Sequence, residues 1–305
     1  MQQNRREFIV TSSLAVAAGA LSPVYVFGQQ PPAAAGAQPP TTPVFTPLRR
    51  NVGTFTARGG TMAYLVTNDA VLVIDSQFAD TAQMFLDGLK TRTPRKIDLL
   101  LNTHHHPDHT GGNKVLRPMV AKIVAHENVP GLQKKQAAAN KSEDAQAYAD
   151  ETFKDGWKVD IGNETVSTKY YGPGHTSGDA VIFFQRANIV HMGDLMSHQR
   201  HPRVDRPAGA SIRNWLTSLE KVTKDHNNDT TYIFGHSKVG APVTGPKADL
   251  LALRDYFSAM LDYVQKGIAA GKSADEIVKA GMPQFAQNEG TPALQVCYDE
   301  LTAKA

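Results

Sequence analysis

Cysteine is almost missing. Cys297 stands alone among 305 residues, which excludes an intramolecular disulfide and any zinc or iron–sulfur site built on several thiolates. Net charge is nearly absent too: 32 Lys and Arg against 29 Asp and Glu leave +3, too small an excess to make nucleic acid the default partner. The uncharged apolar stretch from Phe8 to Leu21 is shorter than the roughly 20 residues a bilayer-spanning helix needs. A hydrophobic content of 41% with 20% charged residues excludes disorder and provides for a packed core. What the chain does hold is histidine, 11 in all, and five of these fall where they decide the chemistry.

The N-terminus has the parts of a signal peptide: Arg5 and Arg6, then the apolar stretch, then small residues such as Ser22 and Gly28. Arg5-Arg6-Glu7-Phe8-Ile9 resembles a twin-arginine signal. This implies that residues 1–28 direct a folded bacterial protein through the twin-arginine export machinery, to the periplasm or beyond. Residues 29–50, with Pro31, Pro32, Pro39, Pro40, Pro43 and Pro47, have too few large apolar groups to pack and read as a linker. Residues 51–305 are left for one α/β domain.

Within that domain, short β-rich runs near residues 53–57 and 62–67 precede Ala70 to Ile74, a buried strand ending at Asp75. A helix over 80–90 and an apolar strand over 97–101 follow, and a strand over 121–125 with an exposed helix over 129–149 repeats the alternation. The second half restarts with strands near 165–171, 180–185 and 189–192, a helix near 211–224 and a strand at 232–234. From about residue 247, Leu250, Leu253, Phe257, Met260, Leu261 and Val264 mark one apolar helix face, and Ser273 to Glu276 reads as the N-cap of a further helix. These C-terminal helices are expected to cover a sheet, with Cys297 as a small buried residue in the last of them.

The chemistry concentrates after the 97–101 strand, at Asn102-Thr103-His104-His105-His106-Pro107-Asp108-His109. Side chains alternate at a strand end, so His104 and His106 can share one side while His105 points to the other. Pro107 holds His106 extended, and Asp108 and His109 lie where the chain turns toward Gly111-Gly112. Two imidazoles with an Asp–His pair just beyond can serve two adjacent metals.

His104-x-His106-x-Asp108-His109 resembles the motif of the metallo-β-lactamase superfamily, and Gly174-His175-Thr176, Gly193-Asp194 and Gly235-His236 follow in the order that pattern requires. The likeness covers roughly Asn51 to Val239. It implies a four-layer αββα sandwich, with the C-terminal helices over one face. It further implies that His104, His106 and His175 bind one metal, that Asp108, His109 and His236 bind a second, that Asp194 bridges them, and that Asp75 braces the site without binding. Two zinc ions are the implied cofactors, with iron or manganese as alternatives. Ions held about 3.5–4 Å apart can share a water whose pKa falls to about 7, giving a hydroxide nucleophile for an acyl carbon. Asp108 is the implied catalytic residue, orienting that water and taking its proton.

Asp194 separates the readings. Antibiotic-hydrolysing members of the superfamily usually carry Cys or Ser there, whereas glyoxalase II-like thioesterases and lactonases carry Asp. The expectation is therefore a hydrolase of a small-molecule lactone, ester, thioester or amide. β-Lactam hydrolysis, a mononuclear iron dioxygenase of the persulfide-oxidising type and a non-catalytic metal-binding protein are the alternatives. His198, Arg200 and His201, with Arg203, lie on a loop leaving Asp194 and are candidate substrate contacts. Composition sets no oligomeric state.

Overall fold

The computed structural model describes residues 42–303, so the expected signal peptide and residues 29–41 of the expected linker lie outside the described residues. The first sheet runs in sequence order: β1 (Val44–Pro47), β2 (Val52–Thr56), β3 (Met62–Val66) and β4 (Val71–Ile74) pair antiparallel. Helix α1 (Ala79–Lys90) then crosses back to β5 (Ile97–Asn102), which joins β4 in parallel. Two short helices, α2 (Pro107–Thr110) and α3 (Asn113–Leu116), lead to β6 (Val120–His126). Helix α4 (Asn128–Asn140) and β7 (Glu151–Phe153) complete this half, β5, β6 and β7 being parallel.

The second sheet begins with the antiparallel strands β8 (Gly156–Ile161), β9 (Glu164–Lys169), β10 (Val181–Phe184) and β11 (Ile189–His191). Beyond β11, β12 (Ser197–His198) leaves the sheet and helix α5 (Ile212–Asp225) crosses to β13 (Thr231–Ile233), parallel to β11. A ribbon of β12 with β14 (His236–Ser237) stands apart, and β15 (Thr244–Gly245) closes the edge against β13. Helices α6 (Lys247–Ala269), α7 (Ala274–Ala280) and α8 (Leu294–Thr302) end the described chain. Among the described residues no helix is long and apolar enough to cross a membrane.

Three hydrophobic clusters fix the layering. On β4, Leu72 and Ile74 face the other sheet, with Leu65, Val166, Ile182 and Ile189, while Val71 and Val73 face α1 through Phe85 and Leu89. The outer face of the second sheet, Val190 and Tyr232, meets Trp215 and Leu219 of α5 and Phe257 and Met260 of α6. Helix, sheet, sheet and helix therefore form four layers, as the sequence resemblance implied. Each fully buried Leu, Ile or Phe contributes about 1.5–3 kcal/mol, which is what holds the two sheets' ends in register at the rim described below.

Three boundaries differ from the sequence reading. The sheet starts before residue 51, because Phe45 of β1 packs on Phe55, Tyr64 and Phe85. This aromatic cluster turns the end of the expected linker into an edge strand. Helix α4 stops at Asn140, where Lys141 takes a left-handed conformation, rather than continuing to residue 149. Strands β7 and β8 occupy a stretch not read as β, although Trp157, Val159 and Ile161 alternate with exposed residues at strand period. The Ser273 cap is present, with Ser273 and Glu276 bonded reciprocally.

Cys297 is fully buried in α8 against α6, and that burial pushes its thiol up to about 12. The thiolate is the reactive form, so at pH 8 the native protein is expected to leave a colorimetric disulfide reagent unreacted. The same protein unfolded in guanidinium should react at its single cysteine. Prompt native labelling would contradict this packing.

Candidate metal centre

The C-terminal ends of β4, β5, β11 and β13 meet at one rim, and each delivers a polar side chain there. Beyond β5, His106 is extended (φ −63°, ψ 148°) and Pro107 opens α2, so the chain reverses and returns Asp108 and His109 toward His104. His175 sits on the loop between β9 and β10. That loop is tied by Asp179, which accepts from the backbone N–H groups of Gly174 and Thr176 and from the Thr176 hydroxyl. Asp194 follows β11 and His236 follows β13.

The first cluster is His104, His106, His175 and Asp194, all buried. His106 Nδ1 lies 3.1 Å from His104 Nε2 and 2.8 Å from His175 Nε2. Asp194 Oδ2 lies 3.4 Å from His175 Nε2 and 3.9 Å from His104 Nε2. The second cluster is Asp108, His109 and His236, where His236 Nε2 lies 3.0 Å from Asp108 Oδ2 and 3.4 Å from His109 Nε2. Asp194 reaches this cluster as well, at 3.0 Å from His109 Nε2 and 3.4 Å from His236 Nε2. All seven residues singled out in the sequence are thus brought together, with the Asp194 carboxylate between the two groups.

The opposite ring nitrogens set the orientation of four of the five imidazoles. His175 Nδ1 donates to the Arg203 carbonyl at 2.7 Å, and His106 Nε2 pairs with Asp205 at 2.7 Å. His104 Nδ1 meets the Thr103 hydroxyl at 3.0 Å, and His109 Nδ1 meets Asp75 at 2.7 Å. Asp75 also accepts from the backbone N–H and the hydroxyl of Thr103, so it braces both arms of the motif. With these outward bonds made, His106 Nδ1 and His175 Nε2 face each other. Burial holds His175 down to about 4 and His104 well below the ordinary imidazole range, so these two rings offer lone pairs at neutral pH.

The donor set fits divalent cations. Ring nitrogens gathered around one carboxylate are what a zinc ion organises, and Asp194 lies 3.0–3.9 Å from ring nitrogens of both clusters. In the second cluster, burial disfavours a charged His109, but Asp194, Asp75 and Asp108 outweigh it and raise His109 well above its usual range. His236 is raised to about 9, since Asp194 and Asp108 overcome its burial. The second cluster therefore carries surplus negative charge that protons or a dication must balance.

Asp205, Thr103, Asp179 and the Arg203 carbonyl were not found from sequence. Thr103 adjoins the motif and could have been, whereas Asp205 stands in a loop with no pattern around it. His198, Arg200 and His201 join neither cluster. In the parallel β12–β14 ribbon Ser197 pairs with His236 and His198 with Ser237, so His198 faces away from the side that carries His236. Its ring stacks on Phe234 instead. Arg200 pairs with Glu289 at 3.6 Å and His201 with the Tyr256 hydroxyl at 2.7 Å, both toward the C-terminal segment. Arg203 is exposed; its carbonyl holds His175, and its guanidinium lies 3.9 Å from the Asp205 carboxylate that holds His106.

Residues 56–236 match the family described as the Metallo-beta-lactamase superfamily. The chain belongs to this superfamily. It is 26% identical over 177 residues to the metallo-beta-lactamase type 2 of Bacillus cereus, covering 58% of this chain and 66% of that protein. It is 24% identical over 174 residues to the metallo-beta-lactamase type 2 of Elizabethkingia meningoseptica, covering 57% and 67%. The chain thus spans about two thirds of the length of the curated relatives it matches. The solved metallo-beta-lactamase from Pontibacter korlensis shares the superfamily fold at TM-score 0.60 and 19% identity, over 71% of this chain and 99% of that one. The family match ends at His236, so α6 to α8 lie beyond it.

Gly60 of the β2–β3 turn lies against the His109 ring, where any Cβ would overlap it. Its N–H donates to the Asp108 carbonyl at 3.0 Å, and its carbonyl accepts from the buried Gln77 amide at 2.6 Å. Gly60→Ala must therefore push His109 out of the second cluster while leaving the first intact. Zinc content by plasma mass spectrometry is expected to fall by about one ion per chain; unchanged content would show that the turn does not position His109.

Proposed function

We propose that the protein is a dinuclear zinc-dependent hydrolase that opens an acyl bond of a small molecule: a lactone, ester, thioester or amide. The observation that carries this reading is the Asp194 carboxylate lying between two donor clusters, four of whose five imidazoles are oriented from behind. His104, His106 and His175 would hold one ion, and Asp108, His109 and His236 the other, with Asp194 shared; iron or manganese suits the same donors. When bound, such a pair supplies a water ionised near neutral pH and a Lewis acid for the acyl oxygen.

The chain's own residues supply the rest. Asp194, placed between the two clusters, would offset the repulsion of two dications held there. Asp75, Asp205, Thr103 and the Arg203 carbonyl hold His109, His106, His104 and His175 from behind, so that these four rings need not turn during a cycle. Asp108 is the more exposed of the two cluster carboxylates, with its Oδ2 on His236, and from there it orients the attacking water and accepts its proton. The reaction needs no serine or cysteine nucleophile, which agrees with the burial of Cys297 away from the rim.

β-Lactam hydrolysis is the second reading, favoured by the relatives from Bacillus cereus and Elizabethkingia meningoseptica, both described as metallo-beta-lactamases. Asp194 places acyl substrates of the lactonase and thioesterase kind ahead of it. Residues 1–28 would carry the folded protein through the twin-arginine machinery to the periplasm, where such substrates arrive from outside.

The test is a hydrolysis panel on the zinc-loaded, signal-free protein, with acyl-homoserine and simple lactones, aryl esters, thioesters and a chromogenic cephalosporin. At least one substrate should turn over, a chelator should abolish turnover, and Asp108→Ala should lower kcat by about 10²–10⁴-fold. Chelator-resistant turnover would overturn the mechanism. One iron per chain with oxygen uptake and no hydrolysis would instead assign a dioxygenase.

A further inference from the structure

Arg203 and Asp205, which hold His175 and His106 from behind, share one loop. The far half of that loop is anchored by packing and by its own turn. Val204 is buried in the cluster of Trp215 and Phe257, and the Asp205 carbonyl accepts from the Ala208 N–H at 3.0 Å. The near half runs over space: Gln199 and Arg200 line a cavity of about 260 Å³ whose other walls include Asp249, Leu253 and Phe285. Gln199 is also left-handed at φ 54°, a costly conformation for a residue other than glycine.

What fastens the near half comes from the C-terminal part of the chain, beyond the superfamily match that ends at His236. Glu289 donates its N–H to the Gln199 carbonyl at 3.0 Å, and its own carbonyl accepts from the His201 N–H at 2.8 Å, a short parallel bridge. The Tyr256 hydroxyl of α6 lies 2.7 Å from His201 Nδ1, and Phe285 packs edge-on against the Tyr256 ring. The same segment reaches the loop that follows His236. There the Glu289 carboxylate accepts from the Val239 N–H at 3.2 Å, and Lys238 Nζ donates to the Gln287 carbonyl at 3.1 Å. Gly290, at φ 92°, then turns the segment away. The Arg200–Glu289 ion pair, at 3.6 Å and partly exposed, adds little by comparison.

We infer that residues 285–290 and Tyr256 form a strap that positions the metal centre, with the Glu289 backbone and the Tyr256 hydroxyl as its two fastenings. Neither residue belongs to a donor cluster. Both act through the chain between: Pro202, its φ fixed by the ring, joins His201 to Arg203, whose carbonyl sets the His175 ring. The C-terminal helices, expected only to cover a sheet, thereby take part in building the site. The inference rests on the metal centre of the proposed function and not on its substrate.

Zinc and cobalt binding to the full chain test it. Glu289→Pro removes the N–H and the carboxylate together, whereas Tyr256→Phe removes one hydroxyl and keeps the packing of the ring. Each is expected to weaken one of the two zinc affinities about tenfold, the low end of what changes behind a metal-bound imidazole cost. Each should also shift the visible absorption of the cobalt-loaded protein, which reports ligand geometry. Glu289→Gln, which keeps both backbone bonds and an acceptor for Val239, should match the wild type. Val264→Ala, about two turns along α6 from Tyr256, should lower Tm and leave the cobalt spectrum alone. Unchanged zinc affinity and cobalt spectrum in Tyr256→Phe would overturn the strap, whether or not Glu289→Pro folds. So would an equal shift in Val264→Ala, or a Glu289→Gln as altered as Glu289→Pro. A wild-type chain that binds neither ion would overturn the metal centre and the strap together.

Discussion

A repulsion organises this rim. Five imidazoles and two carboxylates turn ring nitrogens and negative charge toward one another over distances of about 3–4 Å, with four of the rings committed by hydrogen bonds from behind. Left uncompensated, such a cluster would be driven apart or would collect protons. In the first cluster burial keeps His104 and His175 from protonation, while His109 and His236 of the second draw protons through the carboxylates. The asymmetry means that cations at the two clusters would answer different needs, satisfying lone pairs in one and balancing anions in the other.

Holding such a cluster closed is the work of the fold. Parallel β4 and β5 in one sheet and β11 and β13 in the other bring four strand ends to the same edge. The sheets are tied to each other there: Thr61 donates its N–H to the Gly235 carbonyl at 2.8 Å, and His191 Nε2 donates to the Thr61 carbonyl at 2.9 Å. Asp75 and Gln77 sit at φ 61° and 52°, left-handed for residues that are not glycine, at about 1–3 kcal/mol each. That strain is concentrated where Asp75 must face both Thr103 and His109, and the three apolar clusters of the sandwich supply the stability to hold it.

Much of this was legible before any coordinates. The runs at 70–74 and 97–101 are apolar enough to be buried strands, and the density of His and Asp just beyond the second offers ligands for a metal-binding arrangement. Alternation predicted that His105 would diverge from His104 and His106, and it alone of the three stays out of the cluster. What could not be read depends on partners distant in sequence. Phe45 is a strand residue only because Phe55 and Phe85 surround it. Asp205 orients His106 across 99 positions, and the outward face of His198 follows from a ribbon register no local pattern announces. The β8 alternation, by contrast, was present in the sequence and went unread.

The claim on which the rest stands is that Asp194 is shared between two ions. Anomalous diffraction from crystals of the zinc-loaded protein, recorded above and below the zinc edge, addresses it without reference to any substrate. Two peaks about 3.5–4 Å apart are expected, one among His104, His106 and His175 and one among Asp108, His109 and His236, with a carboxylate oxygen of Asp194 between them. A single peak, or a second peak that Asp194 does not touch, would contradict the shared carboxylate and the dinuclear chemistry built on it.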